Sequence, residues 1–230
     1  MTLSLLKHKN NDIPLILDAS VVINLMGSGQ AEAIVDAIGC PVLLEENVRR
    51  EFRYHPRDGR DSQRIMDELV NGGRFSVIQM SPVEYDRFLE FTGAPSPDDL
   101  GDGEAATLAC AVGRGVAAID DRKALRIAGV ACPEVHVYCS MDIICAEHVI
   151  DRLTEDTLRA AVFDAIRYSR MHVPDRWHAW TCKLIGCDPR AIAREHFSCN
   201  SPMTQLAKAP HSKRGSFEVK SRPGHQTKDI

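Results

Sequence analysis

The sequence predicts an α/β fold in which a mainly parallel sheet is covered by helices on both faces. Two observations carry that prediction. Five short apolar runs, at 14–17, 41–44, 75–80, 116–119 and 135–139, have strand length, and stretches with helical periodicity separate most of them. Parallel neighbours need a crossover long enough to hold a helix, and the alternation over the first 140 residues supplies such crossovers.

The elements follow in order. Pro14 to Leu17 is a short buried strand, and residues 18–24 lead out across its carboxyl end. After a turn at Gly27 to Gly29, Ala31, Ile34, Val35 and Ile38 recur at i, i+3, i+4 and i+7, an amphipathic helix stopped by Gly39. The strand at 41–44 precedes a polar helix over 45–52 that carries Glu51, and a further helix over 62–71 ends at Gly72 and Gly73. The strand at 75–80 leads to a helix over 82–91 with proline at its start, then to a loop through Gly101. A helix over 103–113 shows Ala105, Leu108, Ala109 and Val112 on one face, small residues that allow close approach to the sheet. The strand at 116–119, a short helix over 122–128 and the strand at 135–139 complete the alternation. From Met141 the pattern is purely helical, with helices over 141–150, 155–171 and 174–185, the second starting under a Thr154 cap with acids in its first turn.

A chain of 230 residues can bury one full core with some added structure. With 44% hydrophobic and 26% charged residues it has the composition of a globular protein. No apolar run approaches the roughly eighteen residues of a spanning helix, and the N-terminal apolar stretch is too short for a secretory signal. A cytoplasmic protein without membrane contact is therefore expected, its eight cysteines reduced and mostly buried as small hydrophobes. Residues 200–230 carry six Lys/Arg against two acids and few apolar side chains, which reads as a basic disordered tail. The expected domains are 1–140, a helical extension over 141–199, and that tail.

Acids stand at four separated stations where a strand ends or a helix begins: Asp18, Glu51, the pair Asp102 and Glu104, and the pair Asp120 and Asp121. The carboxyl ends of strands in an open α/β sheet converge on one crevice, so these residues can meet. Unscreened carboxylates at about 4 Å repel by roughly 4 kcal/mol per pair at an effective dielectric near 20, so a divalent cation is the natural occupant. Mg²⁺ and Mn²⁺ take oxygen ligands and keep several waters, so a few carboxylates suffice.

In this order, Leu17-Asp18-Ala19-Ser20, Arg50-Glu51-Phe52, Gly101-Asp102-Gly103-Glu104-Ala105-Ala106 and Ile119-Asp120-Asp121-Arg122 resemble the acidic motifs of the PIN domain, over roughly residues 13–140. The compact prokaryotic PIN proteins, which include the VapC-like toxins, are the variety it looks most like. The resemblance implies a three-layer α/β/α fold and a Mg²⁺- or Mn²⁺-dependent ribonuclease that hydrolyses RNA phosphodiester bonds. It implies catalytic roles for Asp18, Glu51, Glu104 and Asp121, with metal held by Asp18, Glu104 and either Asp120 or Asp121. Glu104 is favoured over Asp102 because it matches the family's helix-opening acid, and Asp102 is expected to cap the helix or lie behind the ligands. A strand alternates faces, so one of Asp120 and Asp121 should point inward; Asp121 fits the family spacing slightly better. Ser20 is expected to orient a neighbouring carboxylate.

The basic, aromatic run from Arg49 to Arg57 offers Arg49, Arg50, Arg53 and Arg57 as contacts to RNA phosphate; a solvated helix face is the plain alternative. His178, Cys182, Cys187, His196 and Cys199 have no Cys-x₂-Cys pair and match no compact zinc knuckle. Trp177 and Trp180 read as a core seam of the added helices. A toxin of a toxin–antitoxin pair would require an antitoxin that inserts a basic side chain among the acids. The helices after 140 exceed the compact family pattern and would serve as a dimer surface, regulator or substrate clamp. The competing function is a catalytically inactive PIN-like scaffold binding RNA or protein. A phosphatase of the HAD type is disfavoured by Ser20, where an acid would be needed.

Overall fold

All five apolar runs become strands of one parallel sheet. The computed structural model describes residues 13–198. Strands β1 (Leu15–Leu17), β2 (Val42–Glu45), β3 (Ser76–Ile78), β4 (Val116–Ala118) and β5 (Val137–Tyr138) lie in the order β3-β2-β1-β4-β5. Leu15 pairs with Val42 on one side and Val116 on the other, and Leu17 with Ala118. Strand order therefore reverses between β1 and β4: the chain winds outward to β3, then returns to the far side of β1. In open α/β sheets, this is where the crevice outside the carboxyl ends receives a ligand.

Twelve helices are described. Those among and after the strands are α1 (Ala19–Gly27), α2 (Ala31–Ile38), α3 (Glu46–Glu51), α4 (Ser62–Asn71), α5 (Pro82–Thr92), α6 (Asp102–Arg114) and α7 (Arg122–Ala131). The remainder are α8 (Ser140–Ile144), α9 (Glu147–Arg152), α10 (Glu155–Ser169), α11 (Asp175–Ile185) and α12 (Pro189–Ser198). The two-residue period of a strand sorts the sheet's side chains into two cores. Leu15, Leu17, Val42, Leu44, Ala118 and Tyr138 face the larger one, with α1, α2 and α8 to α10. Ile16, Leu43, Ala117, Ile119 and Val137 face the smaller, against α5, α6 and α7. The result is a three-layer α/β/α fold. Among the described residues, no single helix is long and apolar enough to cross a membrane.

The helices beyond 140 share the larger core. Ile144, Val149, Leu158, Val162, Ala165 and Ile166 are buried in it, and Trp177 and Trp180 pack against it edge to face, 5.8 Å between ring centres. Asp142 fastens α11 to α8: its carboxylate accepts from Trp177 Nε1 at 2.7 Å, Arg176 Nη2 at 2.5 Å and the Cys139 N–H at 3.0 Å. Burial alone would raise this carboxyl's pKa, but those donors outweigh it and hold it below the usual value.

Three expectations are corrected. Residues 18–24, expected only to lead out of the first strand and given no element, are mostly helix: Ala19 begins α1, whose Val21, Val22, Leu25 and Met26 are all buried. Buried almost all round, α1 shows no polar face to reveal a helical stripe, and its β-branched run disfavours helix locally. The expected helix over 141–150 breaks into α8 and α9 at Cys145 and Ala146. The expected helix over 155–171 ends at Ser169, where Arg170 adopts a left-handed backbone at φ 58°; α12 was not anticipated. The tail at 200–230, the N-terminal twelve residues and Cys199 lie outside the described residues.

Candidate metal centre

Asp18 follows the last residue of β1 and is 2% exposed. Its backbone N–H donates to Ala118 O of β4 at 2.9 Å, which fixes it at the point where the strand order reverses. Its carboxylate caps α1: Oδ2 accepts from the Ser20 N–H at 3.0 Å and from the Ser20 hydroxyl. Ser20 thus orients Asp18 itself. Burial, with the charge of Glu104 adding to it, pushes the Asp18 pKa up from 3.8 to about 6 although the Ser20 donors pull the other way.

Glu51 is the last residue of α3, a helix capped by the buried carboxylate of Glu45 at the end of β2. It faces the start of α6. Loss of solvation and the charges of Asp18, Glu104 and Asp102 raise its pKa to about 7, against the lowering pull of the Gly103 N–H. Because Glu51 is open to water on one side, the three neighbouring carboxylates are the more telling cause. The approach is close: a Cβ at Gly103 would stand 2.8 and 2.9 Å from the two Glu51 carboxylate oxygens, so any larger residue there would push that carboxylate aside. Glu104, half-buried in the first turn of α6, folds back over Gly101, where a Cβ would overlap its Oε2. Asp102 is exposed in the same turn and makes no capping bond; Gly101 is the N-cap, which corrects the capping role expected of Asp102.

At the end of β4, Asp120 and Asp121 divide their roles. Asp120 accepts from Asn24 Nδ2 at 2.6 Å, the Ser140 N–H at 2.8 Å and the Ser140 hydroxyl at 2.5 Å. Its burial raises its pKa in spite of these donors. Asp121 is exposed, and its carboxylate accepts from the Ala124 N–H at 2.8 Å to cap α7. The inward position therefore belongs to Asp120, reversing the preference for Asp121. Asn24 and Ser140 were missed from the sequence. Asn24 lies one turn beyond Ser20, so a single edge of α1 sends donors to both Asp18 and Asp120.

No family model, curated protein or solved structure matches the chain.

The donor set has the oxygen-only chemistry that Mg²⁺ and Mn²⁺ take, but among the described residues no three of the site's acids bring ligand atoms within 4.8 Å of one another, so an ion would have to draw them together. Asp18, Glu51, Asp102 and Glu104 offer only oxygen, and each raised pKa marks a carboxylate short of positive charge; a cation would relieve both Asp18 and Glu51. Arginines from the 49–57 run are already paired, Arg49 with Asp67 at 2.8 Å, Arg50 with Glu46 at 3.3 Å and Arg57 with Asp164 at 2.9 Å. Arg53 is exposed, with no ion pair among the described residues. Surface pairs of this kind are weak enough to exchange for phosphate. Elsewhere, His178, Cys182 and Asp188 gather within 4.8 Å. Asp188 Oδ1 already accepts from the Arg190 N–H at 2.8 Å and lies 3.2 Å from His178 Nε2, so a helix cap explains the cluster without an ion.

Proposed function

We propose that the chain is a Mg²⁺- or Mn²⁺-dependent endoribonuclease. The observation that carries this reading is the set of acids around the point where strand order reverses: Asp18 at the end of β1, the Glu51 carboxylate against Gly103 at the start of α6, which also carries Asp102 and Glu104, and Asp120 on the adjacent strand end. Asp18, Glu104 and Asp120 would hold the metal, which supplies a Lewis acid for phosphodiester hydrolysis. Ser20, Asn24 and Ser140 fix the orientation of two of those carboxylates, so little reorganisation is left for the reaction. Glu51, set against Gly103 and exposed to water, would align the attacking water. The choice of RNA rests on the resemblance to PIN proteins. The seven described cysteines are free thiols, which suits work in the cytoplasm.

The test is cleavage of mixed-sequence RNA with Mn²⁺, comparing the wild type with Asp18→Asn and Glu104→Gln. Both variants should lose at least 100-fold in rate, an order of magnitude typical of removing charge stabilisation from a reacting centre. Equal rates in all three proteins would refute the ligand roles. A wild type that binds RNA and never cuts it would leave a scaffold instead of an enzyme.

A further inference from the structure

Beside the acidic crevice, the end of α10 and helices α11 and α12 enclose a cavity of about 240 Å³ against the start of α7. Its lining carries three arginines, Arg122, Arg170 and Arg190, with His172 and His178, against one acid, and that acid, Asp175, is paired by Arg190 at 3.3 Å. Arg122 Nη2 approaches His172 Nε2 to 2.9 Å, a contact that requires the imidazole to be neutral and accepting. With the imidazole neutral, the Arg122 guanidinium keeps its charge beside the cavity and can turn further N–H donors to an anion there. The cavity also adjoins the carboxylates: Arg122 stands two residues after Asp120, and His172 feels the charge of Asp120.

Arg170 supplies an independent observation. It ends α10 with φ 58°, a left-handed conformation that glycine adopts freely and that costs an L residue about 1–2 kcal/mol. Two other helices that end this way, α2 and α11, use Gly39 and Gly186. An arginine here, one of the residues lining the cavity, thus stands where glycine would be less strained.

Resting on the nuclease reading above, we propose that this cavity binds a phosphate of the RNA strand next to the one being cut. Arg122 and Arg170 are the principal contacts, and the helices after residue 140 act as the substrate clamp. The strand's backbone would leave the carboxylates and enter the arginine-lined cavity.

The experiment is fluorescence anisotropy of a labelled 12-nucleotide RNA on the full chain in EDTA, where no cleavage occurs. Arg122→Gln and Arg170→Gly are compared with Arg126→Ala, an exposed cation on α7 that pairs with Asp98 and controls for lost charge. Each cavity variant should weaken binding 5- to 20-fold and lower the salt slope by about 0.7, while Arg126→Ala changes it less than twofold. Arg170→Gly should melt no lower than the wild type, so misfolding would not account for its loss. RNAs with a 5′-phosphate or a 5′-hydroxyl separate the sources: a preference for the phosphorylated end assigns a terminal monoester, and equal affinity assigns an internal diester. Cavity variants that bind like Arg126→Ala, or a wild type that binds no RNA, would overturn the proposal. Binding that depends on the cavity without cleavage in Mn²⁺ would sink the nuclease reading alone, whereas cleavage with unchanged kcat/KM in both variants would sink the cavity alone.

Discussion

Replacing Asp18 with Asn should make the metal-free protein more stable at neutral pH. Burial and the charge of Glu104 raise the folded-state pKa of Asp18 from 3.8 to about 6. A raised folded-state value means that ionisation opposes folding: the cost is absent below about pH 4, grows between about pH 4 and 6, and is complete by pH 7. Two pKa units at about 1.4 kcal/mol each give a cost of about 3 kcal/mol. Asn is as good an N-cap as Asp and can still accept from Ser20, so the substitution removes the charge while α1 keeps its cap. In EDTA at pH 7.5, Asp18→Asn should therefore melt about 6–12 °C above the wild type, using about 2–4 °C per kcal/mol for a chain of this size. The wild type should also lose stability as pH rises from 5 to 7.5, and the variant should lose less. Saturating Mn²⁺ should stabilise the wild type more than the variant, closing or reversing the gap. Thermal melts across pH, with and without Mn²⁺, check all three statements. A variant that melts below the wild type in EDTA at pH 7.5 would refute the reasoning, because the carboxylate would then be stabilising the fold by itself.

Gly103→Ala separates site from scaffold. The atoms nearest the new Cβ are the mobile end of Glu51, so unfolding should shift by less than about 1 kcal/mol while RNA cleavage falls at least tenfold; a fully active variant would remove Glu51 from the reaction. Gly27→Ala tests the brace between α1 and α10, since its Cβ would overlap the Ser169 hydroxyl and stand 3.0 Å from the Ser169 Cβ; denaturant unfolding should show a loss of about 1–3 kcal/mol. Asp142→Asn loses the charged acceptor that joins α8 to α11. Its folded pKa is depressed, so its contribution is present above about pH 4 and vanishes as pH falls through the folded value; unfolding should show a deficit of about 1–3 kcal/mol at pH 7 that shrinks at pH 3.

The sheet was legible because its information is local. Each strand is a short apolar run, and alternation with helices leaves few ways to pair them. The acid stations were legible for the same reason, as Asp18 and Asp120 mark the ends of β1 and β4. What escaped was set by packing. α1 reads as a helix only once both its faces are known to be buried, and α8 and α9 merge into one apolar stretch because the break at Cys145 and Ala146 is itself buried. Asn24 and Ser140 reach Asp120 across 96 and 20 residues of chain, so no spacing announces them. Asp120 and Asp121 are chemically identical in the sequence; only the exit angle of β4 turns one toward Asn24 and leaves the other to cap α7.

The position of α1 explains why the acidic crevice and the late helices belong to one design. Asp18 begins this helix, Ser20 holds Asp18, and Asn24 on the next turn holds Asp120, so the relative placement of two strand ends depends on the seating of α1. That seat is provided by α10, whose Ser169 hydroxyl donates to Ile23 O at 2.8 Å and fits against Gly27 where any larger residue would collide. One residue later comes the strained Arg170 on the basic cavity. The end of α10 thus touches, within two residues, both the helix that orients the carboxylates and the arginine-lined cavity. If the cavity takes an RNA phosphate as proposed, its contact at Arg170 lies next in the chain to the Ser169 hydroxyl that braces α1.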